Sequence, residues 1–248
     1  MKDLFCIDEK VIVITGSSKG IGFEIAKSMS CRGAKVIGLS RTTPEEEYLF
    51  DHRCCDITDK NLVSKIIDEI FESYGKIDVL INCAGSTSPS NQESIEKRYD
   101  NFIKTFDINL NSAFFLTDKV SLIMKKQKSG SIINITSIAA EFGFANNPSY
   151  VSSKGALKQM SKAMAVDLGD HGIRVNCICP GYIRTDMTEK SFNNETLHEE
   201  RLRNMIIPRW GSPNDLVGAA IFLSSDASSY VTGSDLVVDG GWCAKGMS

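Results

Sequence analysis

Short apolar runs alternate along the chain with longer segments of helical periodicity. The runs are continuous and rich in β-branched residues, which is typical of parallel strands buried on both faces. They occupy residues 11–14, 35–39, 78–81, 131–135, 175–178 and 236–238. Apolar residues recur at helical spacing between them, at about 20–32, 59–74, 96–126, 148–169 and 213–224. This alternation over the whole length predicts an α/β fold with a doubly wound parallel sheet.

The segment from Arg41 to Cys55 is too short for a full crossover helix. We expect a loop or a single helical turn there, followed by a further strand that ends before Asp56, which makes about seven strands with helices on both faces. No shift in composition, linker or repeat divides the chain. We therefore predict a single domain over residues 1–248.

Composition narrows the class of protein. The chain has 248 residues, a formal net charge of −3 and 42% hydrophobic residues. A nucleic-acid-binding protein would show a basic face, and no apolar run is long enough to span a membrane. The first residues lack the apolar core of a signal peptide, so we expect a cytoplasmic protein with no nucleic-acid or membrane partner.

Eight cysteines occur without a Cys-x-x-Cys pair, and the three histidines do not complete a zinc-ligand pattern. We therefore predict no metal site. Several cysteines lie in apolar runs, and we expect free, buried thiols, as in a reducing compartment.

A glycine-rich loop follows the first strand directly and opens a helix. Its sequence is Thr15-Gly16-Ser17-Ser18-Lys19-Gly20-Ile21-Gly22. Glycines allow a tight turn and a close approach of the backbone to a pyrophosphate, and the helix N-terminus offers free N–H groups. The strand–loop–helix context predicts a Rossmann-type dinucleotide site.

The end of the second strand bears on the choice of cofactor. An NAD site usually has an acidic residue there, whereas this chain has Ser40 followed by Arg41, with Lys19 in the glycine loop. A guanidinium binds phosphate through paired hydrogen bonds. We therefore predict NADP(H), with NAD as the less favoured alternative.

Tyr150 and Lys154 lie four residues apart at the start of a predicted helix, so they share one face of it. A nearby ammonium lowers the pKa of a phenol and suits it to proton transfer. Taken alone, the pair favours an ordinary helix surface, and only the other motifs of the chain favour a catalytic pair.

These motifs together resemble the short-chain dehydrogenase/reductase family over essentially the whole chain. The glycine loop, Asn82-Cys83-Ala84-Gly85, Asn109, Ser137, Tyr150 with Lys154, and Pro180-Gly181 stand in the family's order. Cys83 departs from the family, which commonly has asparagine there.

The resemblance implies four catalytic residues. Tyr150 is expected to be the general acid/base, with its pKa lowered by Lys154, which also binds the nicotinamide ribose. Ser137 would hydrogen-bond the substrate oxygen, and Asn109 would anchor a water of a proton relay. The expected cofactor contacts are Gly16, Ser18, Lys19, Gly20, Ile21, Gly22, Ser40, Arg41, Asp56, Ile57, Asn82, Ala84, Gly85, Tyr150, Lys154, Pro180, Gly181, Ile183 and Thr185. For Asp56, a contact to adenine and a helix cap near Asp59 remain equally open.

The polar segment at about 186–207 resembles in position the family's lid over the substrate, with an ordinary surface excursion as the alternative.

The C-terminal third is most similar to gluconate 5-dehydrogenases and related sugar-acid reductases. These features imply a ketone/alcohol oxidoreductase of a sugar, sugar acid or similar small polar substrate. The alternatives are a 3-oxoacyl-acyl-carrier-protein reductase and a non-catalytic nucleotide sensor or scaffold. Residues expected to face the substrate are Ser86, Ala139, Phe144, Asn147 and Tyr182. The resemblance also implies a homotetramer.

Overall fold

Seven parallel strands form one sheet, in the order β3-β2-β1-β4-β5-β6-β7. The computed structural model describes residues 3–88 and 94–245, so Met1 and Lys2 of the N-terminal stretch lie outside the described residues. The strands are β1 (Val11–Thr15), β2 (Lys35–Ser40), β3 (Asp51–Cys54), β4 (Val79–Asn82), β5 (Gly130–Ile135), β6 (Ile173–Pro180) and β7 (Asp235–Val238). The chain builds outward from β1 to β3 and then restarts at β4 on the other side of β1. This reversal opens a crevice at the carboxyl ends of β1 and β4.

The helices match the predicted periodic segments closely. They are α1 (Gly20–Ser30), α2 (Lys60–Tyr74), α3 (Ile95–Phe106), α4 (Ser112–Gln127), α5 (Pro148–Gly169), α6 (Glu189–Phe192), α7 (Glu195–Arg203) and α8 (Val217–Ser224). A π-helical turn, Asp107–Asn111, joins α3 to α4 without a break in the helix. None of the helices in the described part of the chain has the length and apolarity to cross a bilayer.

The connection from β2 to β3 contains no helix, as the shortness of the segment predicted. β3 was not recognisable from its own sequence, Asp51-His52-Arg53-Cys54, because it is an edge strand whose side chains are exposed or half-buried. A strand without a buried face carries no apolar run, so only the spacing of its neighbours predicted it.

Two layers of apolar side chains cover the two faces of the sheet. Val11 and Val13 of β1 pack with α2, α4 and α5 on one face. Ile12 and Ile14, which alternate with them, pack with α1 and α8 on the other. Both faces of the central strands are therefore buried, which explains their continuous apolar sequences.

The eight cysteines are all free thiols, as expected. The expectation that they are buried is wrong for Cys6, Cys31 and Cys54, which are exposed. Cys54 is exposed because it belongs to the edge strand β3, which has no layer of helices over its end.

Candidate active site

The glycine loop packs directly against the end of β4. Gly16 has a φ of +72°, and a Cβ on it would lie 2.8 Å from the Cα of Ala84. A Cβ on Gly22 would lie 2.3 Å from the carbonyl oxygen of Gly16. The hydroxyl of Thr15 accepts hydrogen bonds from the backbone N–H groups of Cys83 and Ala84, both at 3.0 Å. The loop therefore closes the crevice between β1 and β4 only because its key positions have no side chain.

The N-terminus of α1 faces this crevice. Its N-cap residue is Lys19, whose side chain does not cap the helix. The first backbone N–H groups are thus not satisfied by a side-chain cap, and the positive end of the helix dipole points the same way. Free donors, a positive dipole and a loop without side chains fit a pyrophosphate.

A cleft of about 590 Å³ runs along the carboxyl edge of the sheet. It contains every predicted cofactor contact except Asn82, and it also contains Ser137. Residues that the sequence did not single out for the cofactor also line it: Leu39, Thr42, Cys55, Cys83, Ser86, Ile108, Ile135, Thr136, Asp186, Met187 and Thr188. Most of these residues are next in sequence to predicted ones. Their position at or just after the end of a strand is the sequence signal that identifies them.

Asn82 is the one predicted cofactor contact that does not line the cleft, because its side chain points into the sheet–helix layer. Its amide donates to the hydroxyl of Thr117 at 3.1 Å and to the side-chain oxygen of Asn134 at 2.8 Å. Asn134 in turn donates to Ser161 at 2.8 Å. The side chain of Asn82 therefore joins a buried polar network between the sheet and α5, and a cofactor contact at this position stays a prediction.

The hydroxyl of Ser40 is already engaged. It donates to the carbonyl oxygen of Thr42 at 3.0 Å and contacts the ring nitrogen Nε2 of His52 at 2.7 Å. Since its proton goes to a carbonyl, Ser40 has no donor left for a phosphate. Nearby, Thr42 donates to Ser18 at 3.2 Å, and the exposed Arg41 forms no ion pair with any described residue. The proton of Thr42 is likewise committed, so the side-chain donors available at this end of the cleft are Ser18 and Arg41.

Lys19 and Asp56 have local partners as well. The ammonium of Lys19 lies 2.7 Å from the carboxylate of Asp186, across the mouth of the cleft. Asp56 accepts from the backbone and side chain of Thr58, and these hydrogen bonds lower the pKa of its carboxyl. Asp59, not Asp56, caps α2. The capping alternative is therefore wrong; Asp56 lines the cleft, and its contact to adenine stays a prediction.

Lys154 is buried at the centre of the site. Its ammonium donates to the carbonyl oxygen of Ile135, the last residue of β5, at 2.7 Å. Burial lowers the pKa of this amine to about 8, and the nitrogen lies 5.8 Å from the ring centre of Tyr150. Lys154 and Tyr150 therefore share one face of α5, as their spacing predicted.

The pKa of Tyr150 shifts in the opposite direction to the one expected. Burial raises the pKa of the phenol, and a hydrogen bond with Ser137 partly opposes this. The ammonium of Lys154 is directed to Ile135 instead, so desolvation dominates. In this structure Tyr150 is a protonated acid that Ser137 orients.

Asn109 lies in the π-helical turn and does not line the cleft. Its side-chain oxygen accepts from the N–H of Ser86 at 2.7 Å, and its amide donates to the carbonyl of Ser86 at 3.0 Å and to Ser153 at 2.9 Å. The extra residue of the turn aims this side chain at the loop after β4. Asn109 therefore fixes the backbone of Ser86 and links it to α5.

A set of aromatic side chains, here called the aromatic cluster, stands beside Tyr182. Its ring contacts Phe144, Trp210 and Trp242, with ring centres 5.4–6.2 Å apart. Phe192 and His198 of the lid segment pack on Trp210. The aromatic cluster consists of Phe144, Tyr182, Phe192, His198, Trp210 and Trp242. Of these, Phe144 and Tyr182 were expected at the substrate side; the other four lie far apart in sequence and gave no local signal.

Similarity to known proteins decides the family. A family model described as enoyl-(acyl carrier protein) reductase matches residues 16–243. The chain is 35% identical to the 2-dehydro-3-deoxy-D-gluconate 5-dehydrogenase of Pseudoalteromonas atlantica, covering 99% of this chain and 100% of that protein. It is also 35% identical to the 5-keto-D-gluconate 5-reductase of Escherichia coli, covering 97% and 98%. The chain belongs to the short-chain dehydrogenase/reductase family. It is thus an NAD(P)-dependent oxidoreductase that acts on CH–OH groups.

Solved structures of the family agree with the fold. A gluconate 5-dehydrogenase from Burkholderia cenocepacia, in complex with NADP and tartrate, is 30% identical and superposes with a TM-score of 0.89. The match covers 98% of this chain and 99% of that one. The short-chain dehydrogenase/reductase architecture therefore extends over the whole chain, including the segment around the aromatic cluster.

Lys154 makes a testable contribution to the pH dependence of stability. Burial lowers its pKa from 10.5 to about 8, so between these values the unfolded chain binds the proton more tightly than the folded chain. The contribution of Lys154 to the free energy of unfolding therefore rises with pH in this window. Relative to Lys154→Met, we expect the wild type to gain about 2 kcal/mol between about pH 7 and pH 10. Urea denaturation of the two cofactor-free proteins measures the free energy of unfolding. A difference between wild type and Lys154→Met that stays constant with pH would contradict the lowered pKa of Lys154.

Proposed function

We propose that this protein is an NADP(H)-dependent oxidoreductase that interconverts a ketone and a secondary alcohol on a sugar acid. The observation that carries the proposal is the convergence of Ser137, Tyr150 and Lys154 in one cleft with a glycine loop and a helix N-terminus. A non-catalytic nucleotide sensor would not need a buried phenol as proton donor beside a buried amine. The set therefore favours a catalyst over a scaffold.

The chemistry of the residues follows from their positions. Tyr150, protonated in its buried setting, gives a proton from its hydroxyl to a carbonyl oxygen in reduction and takes it back in oxidation. Ser137 donates a hydrogen bond to the same oxygen and stabilises the charge that develops there. Lys154 holds a positive charge behind the phenol and fixes α5 against β5. NADP(H), when bound in this cleft, would supply or accept the hydride.

The residues present fit NADP(H). The cradle formed by Gly16 and Gly22 leaves no room for a Cβ, as a pyrophosphate site requires. At the adenosine end there is no acidic side chain at position 40, and Arg41 is a cation without a carboxylate partner among the described residues. A 2′-phosphate would be held by Arg41 with the hydroxyl of Ser18, which Thr42 orients.

The substrate class rests on the relatives. Several relatives at 35% identity are named for gluconate, 5-keto-D-gluconate and 2-dehydro-3-deoxy-D-gluconate. The aromatic cluster offers flat faces and N–H donors suited to a small polar molecule. These names do not favour the acyl-carrier-protein alternative. The free thiols support a cytoplasmic location, where cysteines stay reduced.

The segment at about 186–207 is the proposed lid. It contains α6 and α7, has no fully buried residue in either helix, and packs on the site through Phe192 and His198. Contact through a few rings and two exposed ion pairs, Lys19–Asp186 and Arg184–Glu189, suits an element that opens to admit substrate.

Tyr150→Phe tests the catalytic assignment. Without the proton donor, we expect kcat for the reduction of 5-keto-D-gluconate to fall by at least about 100-fold, with NADPH affinity unchanged. NADPH absorbance measures turnover, and fluorescence titration measures binding. Tyr230→Phe, a fully exposed tyrosine, is the matched control and should behave as wild type. Full turnover in Tyr150→Phe would remove this residue from the reaction.

Arg41→Asp tests the cofactor preference. The change removes a charge-assisted hydrogen bond to the 2′-phosphate and adds repulsion, so the Kd for NADPH should rise about 10- to 100-fold. The Kd for NADH, which lacks that phosphate, should change little. Arg32→Asp, an exposed arginine just beyond α1, controls for net charge. An equal rise in Kd for NADPH and NADH would show that Arg41 does not bind the 2′-phosphate.

We further propose a homotetramer in which α4 and α5 pair across a two-fold axis. Apolar side chains are exposed on these helices, including Phe114, Leu122 and Val166, the last of them 81% exposed. Sedimentation velocity should give about four times the chain mass of 27.2 kDa, and Val166→Asp should shift it to smaller species. A monomeric wild type would refute the tetramer, whereas Thr196→Asp on α7 should leave assembly intact.

A further inference from the structure

Buried polar atoms without hydrogen-bond partners are concentrated at one place in the described part of the chain. Five of them lie in or beside the aromatic cluster: Asn147 Oδ1, His198 Nδ1, Arg201 Nη1, Trp210 Nε1 and Trp242 Nε1. Guanidinium and indole nitrogens act only as donors. Native proteins satisfy nearly all buried polar groups, so a concentration of unpaired donors points to a ligand that accepts hydrogen bonds.

Arg201 differs from the other arginines around the lid. Its guanidinium carbon lies 4.5 Å from the ring centre of Tyr182 and 5.4 Å from that of Trp210. In contrast, Arg184 lies 3.6 Å from Glu189, and Arg209 pairs with Asp215 at 2.8 Å. Across residues 3–88 and 94–245, no carboxylate lies within ion-pair distance of Arg201. It is a cation that packs on two aromatic rings and hydrogen-bonds the side chain of Tyr182, while its Nη1 nitrogen is buried and unpaired.

The position of this cation connects it with the catalytic cleft. Tyr182, on which Arg201 stacks, lies between Gly181 and Ile183, and both of these line the cleft. Asn147, with its unpaired oxygen, is the N-cap of α5, three residues before Tyr150. Arg201 itself is on α7 of the lid and packs on Tyr182. The unpaired donors of Arg201, Trp210 and Trp242 therefore surround Tyr182, whose two chain neighbours line the cleft.

Aromatic rings stabilise a guanidinium only in part, because they do not accept its N–H groups as an oxygen does. A carboxylate offers two oxygens in the geometry of the guanidinium fork. The indoles of Trp210 and Trp242 both contact the ring of Tyr182, and their unpaired N–H groups add two donors there. A neutral hydroxymethyl group would leave the positive charge without a counter-charge.

We propose that Arg201 binds the carboxylate of the sugar-acid substrate and that the indoles of Trp210 and Trp242 donate to the same end of the molecule. This inference rests on the proposed function and names the residue that selects acids over neutral sugars. Because Arg201 belongs to the lid, the substrate carboxylate also holds the lid against Tyr182. A single contact, between Arg201 and the carboxylate, then both selects an acid and closes the lid.

Steady-state kinetics with two matched ketones tests the assignment. The first is 5-keto-D-gluconate, and the second is L-sorbose, which has a hydroxymethyl group in place of the carboxylate. In Arg201→Gln the KM for the acid should rise about 10- to 100-fold, with kcat and the KM for L-sorbose little changed. Arg201→Lys keeps the charge but loses the fork, and should give an intermediate KM. Arg203→Gln, an exposed arginine of the same helix, should match wild type.

The outcomes separate the two proposals. If the wild type reduces neither ketone, the proposed function fails. If it reduces the acid but Arg201→Gln leaves the KM for the acid unchanged, or raises both KM values equally, the inference about Arg201 fails and the proposed function stands. Unchanged NADPH affinity in Arg201→Gln, which lies outside the cofactor cleft, shows that the variant is folded.

Intrinsic fluorescence gives a readout that does not need turnover. The chain has two tryptophans, and both belong to the aromatic cluster. In Tyr150→Phe with saturating NADP, D-gluconate should change the tryptophan emission, and adding Arg201→Gln should raise the midpoint about 10-fold or more. For D-glucitol, the neutral counterpart of D-gluconate, the midpoint of the fluorescence titration should be the same with and without Arg201→Gln. Emission that does not respond to D-gluconate, or a midpoint that is independent of Arg201, would place the carboxylate elsewhere.

Discussion

One buried hydrogen bond holds the active site together. The ammonium of Lys154 donates to the carbonyl of Ile135, where β5 ends. Burying an amine is costly, and the cost appears as the fall of its pKa to about 8. The bond sets the rotation of α5 against the sheet, so that Tyr150, one turn earlier, meets Ser137 just beyond the same strand. The proton donor, its hydrogen-bonding partner and the buried charge thus depend on one contact.

The sheet edge holds the cofactor cleft and the proton donor, whereas the lid holds the residues proposed to select the substrate. At the edge, Thr15 ties β1 to the backbone after β4, and Asn109 ties that same loop to α5. These buried bonds make the cofactor cleft and the acid a rigid unit. The lid packs mainly through Phe192, His198 and Arg201. Substrate selection can therefore rest on a movable element without disturbing the chemistry.

Much of this arrangement is predictable from the sequence, because it is encoded locally. Central strands show as apolar runs, and the glycine loop shows as a motif between a strand and a helix. The edge strand β3 lacks a buried face and therefore an apolar run. The true partners of Ser40, Asn82 and Asn109 are polar side chains or backbone groups distant in sequence, so their roles needed coordinates. The pKa shift of Tyr150 was predicted in the wrong direction because spacing reveals a neighbouring charge but not the extent of desolvation.

The central claim is that Tyr150 is a buried, protonated acid in the cofactor-free protein. NMR of protein labelled with ¹³C at the tyrosine Cζ measures this directly, with the signal assigned by its absence from Tyr150→Phe. The account predicts that the Tyr150 signal titrates above the ordinary phenol pKa of 10.0, since burial raises its pKa. A midpoint below that value would show that the charge of Lys154 outweighs desolvation, and it would contradict the account.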